Sequence, residues 1–229
     1  MLLEICANSF QSAKNAQEAG AHRIELCQEL SVGGLTPSYG LLRLVKEKLH
    51  IPIHILIRPR SGNFIYTAEE FEQMQKDIAL CRELNFDGIV SGILKKDKTI
   101  DIERTKALID LARPLSFTFH RAFDEVMNPL IALKQLIELG VERVLTSGQK
   151  SSAEQGIELL KHLKTQSKGE IIIMPGSGIN ASNLNVFKAN AFSEIHSSAS
   201  SKVSQSESLF SEDQTVSDIN KIRTILHAI

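Results

Sequence analysis

Two short apolar segments near the start of the chain share one alternation of apolar and reactive side chains. "LLEIC" places Glu4 and Cys6 at every second position, and "RIELC" does the same with Glu25 and Cys27. Alternate side chains of a β-strand point to the same face, so each carboxyl group shares a face with a thiol. Carboxylates transfer protons and thiolates bind soft metal ions, so these four residues predict a chemically active site.

Basic side chains follow the same alternation on three later segments. Arg58 ends "IHILIR" with Arg60 two residues further on, His120 ends "LSFTFH", and His196 lies within "SEIHSS". We expect the two glutamates and the two histidines to supply general acid and base groups, and the two arginines to bind an anion with their forked donors. Buried ion pairs kept for stability alone explain the pattern less well, because desolvation cancels much of the Coulombic gain.

The remaining sequence predicts a scaffold that brings these strand ends together. The expected strands are residues 2–6, 23–27, 53–58, 87–92, 115–120, 143–148, 170–176 and 193–198. Helical patterns separate them and close the chain, which is typical of a single α/β domain over residues 1–229, a TIM (β/α)8 barrel. The alternative is an open doubly wound sheet, but its usual Gly-rich turn is missing after the first strand. In a barrel, helices cover the outer faces of the strands, so the polar residues should meet at the carboxyl-end mouth.

Two loops near that mouth carry residues suited to bind an anion. "LTSG" offers Thr146, Ser147 and Gly148, and "MPGSG" offers Gly176 and Gly178. Loops after the last strands of TIM barrels often bind phosphate through backbone amides and a helix N-terminus. These five residues are therefore predicted to contact an anionic substrate.

A Ser-rich segment, residues 197–218, precedes the last helical pattern and contains few aliphatic residues. We expect a long loop there. Two interpretations stay open, a surface connection and a lid over the mouth, because long loops in compact domains often close over sites.

The overall composition narrows the class of protein. A formal net charge of −1 over 229 residues gives no reason to expect nucleic acid or an anionic membrane as a partner. The chain starts "MLLEIC" without a signal-peptide pattern, and no apolar run approaches the roughly 20 residues that span a bilayer. Three cysteines are too few for a disulfide framework, and an odd number leaves at least one cysteine unpaired. A cytoplasmic protein with reduced thiols is expected.

Several segments together resemble one known family. In chain order they are "LEICANS", "RIELCQELSVGGLTPS", "IRPRSGNFIY", "TFHRAFD", "RVLTSG", "MPGSGI" and "EIHSSA". This order is similar to that of the copper homeostasis protein CutC family over residues 1–201. The resemblance implies a TIM barrel, a cytoplasmic location, a homo-oligomer and a role in copper handling. Copper(I) binding by two cysteines of some members carries over to Cys6 and Cys27.

Two main functions stay open at this point, and with them the question whether the protein is an enzyme. The first is a copper(I)-binding protein, because this soft ion prefers thiolates and two cysteines on adjacent strands with the same facing can approach each other. The second is an isomerase, lyase or hydrolase that acts on a small anionic or phosphorylated, hydroxylated metabolite. A regulatory barrel without a working site is a third interpretation, against which the many polar residues at the mouth argue.

Overall fold

The computed structural model describes residues 1–203 and 214–229 and contains a barrel of eight parallel strands. The strands are β1 (Leu2–Ala7), β2 (Arg23–Leu26), β3 (Ile53–Leu56), β4 (Gly88–Ser91), β5 (Ser116–Phe119), β6 (Arg143–Thr146), β7 (Ile172–Pro175) and β8 (Glu194–Ser197). Neighbours in the chain are neighbours in the sheet, and β1 also pairs with β8. A parallel bridge between Gly176 and His196 nearly closes the barrel between β7 and β8. The predicted TIM-type barrel is confirmed.

Helices follow the strands as the sequence predicts. They are α1 (Phe10–Ala19), α2 (Tyr39–Lys48), α3 (Ala68–Glu83), α4 (Ile102–Ala112), α5 (Pro129–Glu138), α6 (Ile157–Ser167), α7 (Leu184–Ala189) and α8 (Ile219–Ala228). Thr67 caps α3 in a capping box with Glu70, and Gly20 ends α1 at a φ of 89°, a backbone conformation that favours glycine. No helix among the described residues has the length and apolarity needed to cross a bilayer.

The pleat of the strands separates an outer core from the barrel interior. Leu3, Ile5 and Ile24 belong to the large apolar cluster between strands and helices. Cys6, Cys27, Leu56 and Val90 form a second, smaller cluster. The register pairs Leu56 with Val90 on β3 and β4, so these two side chains share one face of the sheet. The inward positions at the carboxyl end of the strands therefore carry both thiols.

The structure adds detail to the expected Ser-rich loop. Strand β9 (Ser200–Lys202) pairs antiparallel with β10 (Thr215–Ser217), and Asn8 donates to the carbonyl and the hydroxyl of Thr215. The ends of the segment are therefore attached beside the barrel mouth. Residues 204–213, on which the prediction of a lid depends, lie outside the described residues.

Candidate functional site

A cavity of about 640 Å³ opens at the carboxyl end of the barrel strands. Its wall is mixed, with thiol, carboxylate, imidazole and guanidinium groups beside aliphatic and aromatic side chains. Its lining includes Cys6, Glu25, Arg58, Phe64, His120 and His196. Such volumes are typical of sites for small organic molecules.

Cys6 lines the cavity, and Cys27 lies directly behind it. Cys6 Sγ and Cys27 Sγ are 3.7 Å apart, and both residues are buried. The register explains the contact: Cys6 on β1 pairs with Glu25 on β2, and Cys27 follows Glu25 at the next inward position. The hydrogen bond with Cys27 and burial raise the pKa of the Cys6 thiol well above its ordinary value, so Cys6 is protonated at neutral pH when no metal is bound.

A carboxylate and an imidazole complete a possible ligand set around Cys6. One donor atom from each of Cys6, Glu25 and His196 lies within 4.8 Å of the other two. His196 Nε2 is 3.6 Å from Glu25 Oε2, and His196 Nδ1 is 2.8 Å from Glu4 Oε1. The parallel register that sets Glu4 opposite His196 on β8 produces this arrangement.

The two buried groups beside Cys6 have shifted protonation equilibria. Burial opposes a charge on His196, but hydrogen bonds with Cys6 and Glu4 and the charge of Glu25 outweigh it and raise the pKa of this imidazole well above its ordinary value. Burial, together with the charge of Glu4, raises the pKa of Glu25, although the charge of His196 opposes the shift. An imidazolium therefore sits between two carboxyl groups next to the thiols.

Beneath the cavity, a chain of buried ion pairs fixes Glu4 in place. Arg23 bridges Glu4 and Glu194, and Arg143 Nε lies 3.3 Å from Glu194 Oε2. Burial alone would raise the pKa of Glu4, but the hydrogen bond from His196 and the charge of Arg23 hold that pKa well below its usual range. Glu4 is thus a buried carboxylate that orients His196 through its Nδ1 atom.

Sequence analysis did not single out three members of this chain, namely Arg23, Arg143 and His54. His54 Nδ1 lies 3.9 Å from Glu4 Oε2, and burial lowers the pKa of His54 to about 4. Strand alternation alone indicates that two of them point inward, because Arg23 shares a face of its strand with Glu25, and His54 shares a face with Arg58. Both residues lie near the amino ends of their strands, away from the carboxyl-end mouth where the site was predicted.

A second group of residues lining the cavity consists of Arg58, Phe64 and His120. Arg58 donates to the carbonyl oxygens of Val32, Gly34 and Gly62, and its Cζ lies 5.1 Å from the Phe64 ring centre. The Phe64 and His120 rings are 4.8 Å apart. Five contacts thus hold the guanidinium and the imidazole on one wall.

The other predicted site residues divide between the cavity and the surrounding structure. Gly178 lines the cavity, whereas the added Cβ at Gly176 would lie 2.4 Å from Leu145, so that glycine serves close packing. Arg60 does not line the cavity; its guanidinium binds Glu70 and several carbonyl oxygens.

The "LTSG" loop also has structural partners. Thr146 and Ser147 donate to Asp124, which pairs in turn with Arg121. Gly148 packs against the backbone of Gly156. None of the three predicted residues of this loop lines the cavity. Asp124, which sequence analysis did not propose as a ligand for this loop, satisfies its polar groups instead.

The fold and the site together define a TIM-barrel protein with thiol, carboxylate and imidazole groups clustered at its mouth. The amino-acid sequence then identifies the group of barrels concerned, since residues 1–201 match the CutC family. The chain belongs to the CutC family.

Relatives in this family align over most of the chain. A CutC family protein of Enterobacter sp. (strain 638) is 51% identical over 198 residues, which cover 86% of this chain and 80% of the relative. The human relative, named copper homeostasis protein cutC homolog, is 44% identical over 238 residues, covering 98% of this chain and 87% of that protein. The resemblance expected from the sequence is therefore confirmed.

Solved structures agree with the assignment. A CutC crystal structure from Streptococcus agalactiae superposes with a TM-score of 0.82 at 33% identity, covering 86% of this chain and 98% of that chain. The aldolase QR15 superposes with a TM-score of 0.65 at 11% identity, covering 87% of this chain and 90% of that chain. The second likeness shows the barrel fold alone.

Proposed function

We propose that this protein acts in copper homeostasis in the cytoplasm by binding one copper(I) ion through Cys6 and Cys27. The observation that carries the proposal is the pair of thiols 3.7 Å apart at the mouth of the barrel. Copper(I) is a soft ion, and thiolates are the protein ligands it prefers.

The spacing of the sulfur atoms suits a single bound ion. An ion roughly 2.3 Å from each sulfur, the distance found for zinc thiolates, would see two sulfurs 3.7 Å apart at an angle of about 107°. Near-linear ligation at the same distance would need the sulfurs to separate by about another 0.9 Å, a shift that side-chain rotation can supply. The bent arrangement leaves room for a third donor from His196 or Glu25, whose donor atoms lie close to Cys6.

The surroundings of the thiols also favour a soft ion. Leu56 and Val90 pack against Cys6 and Cys27, so one side of the pair is apolar. Hydrated divalent ions prefer several oxygen ligands, and this wall provides none. On the other side, the positive charge of His196 would stabilise a thiolate at Cys6. The residues present therefore fit copper(I) better than magnesium or calcium.

Names given to relatives support the role in copper handling. The human relative is named a copper homeostasis protein homolog, and it aligns with 98% of this chain. The cytoplasmic location and the homo-oligomer that the resemblance implies stay predictions.

An anaerobic competition for copper(I) against the chromophoric chelator bathocuproine disulfonate tests the proposal. We expect the wild type to withdraw one copper(I) per chain, and Cys6→Ser and Cys27→Ser each to lose this ability because one thiolate cannot replace two. Cys81→Ser is the matched control, since Cys81 is a buried cysteine of α3 away from the cavity. Equal copper(I) affinity in the wild type and in a variant that carries both Cys6→Ser and Cys27→Ser would refute the cysteine site.

A further inference from the structure

The cavity wall formed by Arg58, Phe64 and His120 holds a buried hydrogen-bond donor without a partner among the described residues. His120 is 4% exposed, and its Nδ1 accepts a hydrogen bond from the backbone N–H of Ala122. The ring proton of the neutral imidazole must therefore be on Nε2. Nε2 has no hydrogen-bond partner among the described residues. The nearby Phe64 ring offers at best a weak π-acceptor.

The protonation state of His120 fits a fixed donor. Burial and the charge of Arg58 lower the pKa of this imidazole to about 3, so it is neutral at physiological pH. Leaving a buried N–H without an acceptor is unfavourable. A ligand that accepts a hydrogen bond from Nε2 would remove that cost.

Beside it, Arg58 carries a positive charge that no carboxylate of the described residues neutralises. The residue is 5% exposed, and within the described residues its guanidinium contacts only carbonyl oxygens in the hydrogen bonds that it forms. Those bonds use three of its five N–H donors, and Nε is unpartnered. A buried cation without a counterion is unfavourable, and an anion in the cavity would compensate it.

The charge around the cavity points the same way. Arg58, Arg121 and Lys221 line it; Arg121 pairs with Asp124, which leaves Arg58 and Lys221 beside Glu25, the carboxylate among the lining residues. A concave site with an excess of positive groups concentrates anions. The cavity, at about 640 Å³, is also far larger than a metal ion requires. Its apolar wall could bury a carbon skeleton; the residues that form it are Leu30, Leu56, Phe64, Leu145 and Ile179.

We propose that the cavity binds a small organic oxyanion, a carboxylate or a phosphate ester, which accepts a hydrogen bond from His120 Nε2 and is neutralised by Arg58. The proposed ligand is held by neither thiol and does not require copper. The family comparison and the copper proposal assign no such ligand to this wall. A resident or transported metabolite of this class would explain why a barrel with a two-thiol metal site also keeps a large polar mouth.

Calorimetric titration of metal-free protein with two probes tests the inference. Phosphoglycolate represents phosphate esters, and tartrate represents hydroxylated carboxylates. We expect at least one probe to bind the wild type, and His120→Phe and Arg58→Gln to weaken that binding by about tenfold or more, as expected for loss of a hydrogen bond to a charged group. Binding of phosphoglycolate alone would identify the phosphate ester, and binding of tartrate alone the carboxylate; both results support the proposal.

Matched variants separate a local effect from a general one. His162→Phe changes an exposed histidine of α6, and Arg82→Gln changes an exposed arginine near the end of α3. Both should keep probe affinity within about twofold of the wild type. Arg58 also supports three loop carbonyls, so His120→Phe carries the test if Arg58→Gln does not fold.

A spectroscopic measurement and a copper-independent variant complete the design. Probe binding should shift the ¹⁵N resonance of His120 Nε2 in the wild type, because that atom gains an acceptor. The double variant Cys6→Ser, Cys27→Ser should bind the probe like the wild type, so failure of the copper proposal leaves this result intact. No binding of either probe at millimolar concentration, or equal binding by His120→Phe, would overturn the inference.

Discussion

Replacing Arg23 with methionine should destabilise the barrel strongly, because Arg23 bridges two buried carboxylates. Its guanidinium lies 2.5 Å from Glu4 Oε2 and 2.5 Å from Glu194 Oε2. Removing one partner of a buried ion pair costs about 3–5 kcal/mol. Glu4 keeps the hydrogen bond with His196, and Glu194 keeps Arg143, so we expect a loss near the lower end, about 3 kcal/mol. At roughly 2–4 °C per kcal/mol for a chain of this size, the melting temperature should fall by about 6–12 °C.

Thermal unfolding followed by circular dichroism at pH 7 measures this loss. Lys76→Met is the matched control: Lys76 pairs with Glu72 at 2.7 Å, but both side chains are largely exposed, so the variant should lose less than about 1 kcal/mol. The pKa of Glu4 is held below its ordinary value, so the stability that its partners confer is present above about pH 4.5 and is lost as the pH falls. The difference between wild type and Arg23→Met should therefore shrink in acid. A variant that melts within about 2 °C of the wild type at pH 7 would refute the account of the ion chain.

Three further predictions concern the two walls of the cavity. Gly34→Ala adds a Cβ 2.7 Å from Leu56 and 3.5 Å from Cys27 Sγ, at a φ of 88°. This variant should lose about 1–3 kcal/mol of stability in urea unfolding and should bind copper(I) more weakly. Gly40→Ala is the control: its Cβ meets open space, so neither stability nor copper(I) binding should fall. Copper(I) binding must displace the proton of Cys6, because the pKa of that thiol is raised. The apparent copper(I) affinity in chelator competition should therefore fall by about tenfold per released proton for each pH unit of acidification. A copper(I) affinity that does not change with pH would contradict thiolate ligation. The pKa of His120 is lowered to about 3 in the folded protein, against about 6.5 in the unfolded chain, so the stability that the neutral imidazole confers is lost as the pH falls below about 6.5. Between pH 7 and pH 5 the free energy of unfolding in urea should therefore fall by about 2 kcal/mol less in His120→Phe than in the wild type. Equal losses would contradict the buried neutral imidazole.

The sequence was sufficient to predict the architecture because strand and helix periodicities differ. Ile24 and Leu26 must be apolar to pack beneath helices, while Glu25 between them need not be, and this contrast reveals the strand and its facing. Capping residues such as Thr67 mark helix starts for a local reason that needs no tertiary information. The first strand was predicted one residue too short and the other seven were predicted one or two residues too long at an end, since pairing partners decide where a ladder stops.

The candidate site was only partly predictable, because strand alternation shows on which face of the sheet a side chain lies but not which residues it contacts. It placed Cys6, Cys27, Glu25 and His196 on the inward face, and the register of β1 with β2 and β8 then brought them together. It could not show that Arg60 turns to Glu70, because a residue past the strand end no longer follows the pleat. Nor could it show that Asp124 binds the "LTSG" loop, a contact made across two loops.

X-ray absorption at the copper edge tests the central proposal most directly. Protein loaded anaerobically with one equivalent of copper(I) should show two sulfur neighbours in the first shell of the metal, and Cys27→Ser should lose one of them. A first shell of nitrogen and oxygen atoms alone, or a spectrum that Cys27→Ser leaves unchanged, would contradict copper(I) binding by the two thiols at the barrel mouth.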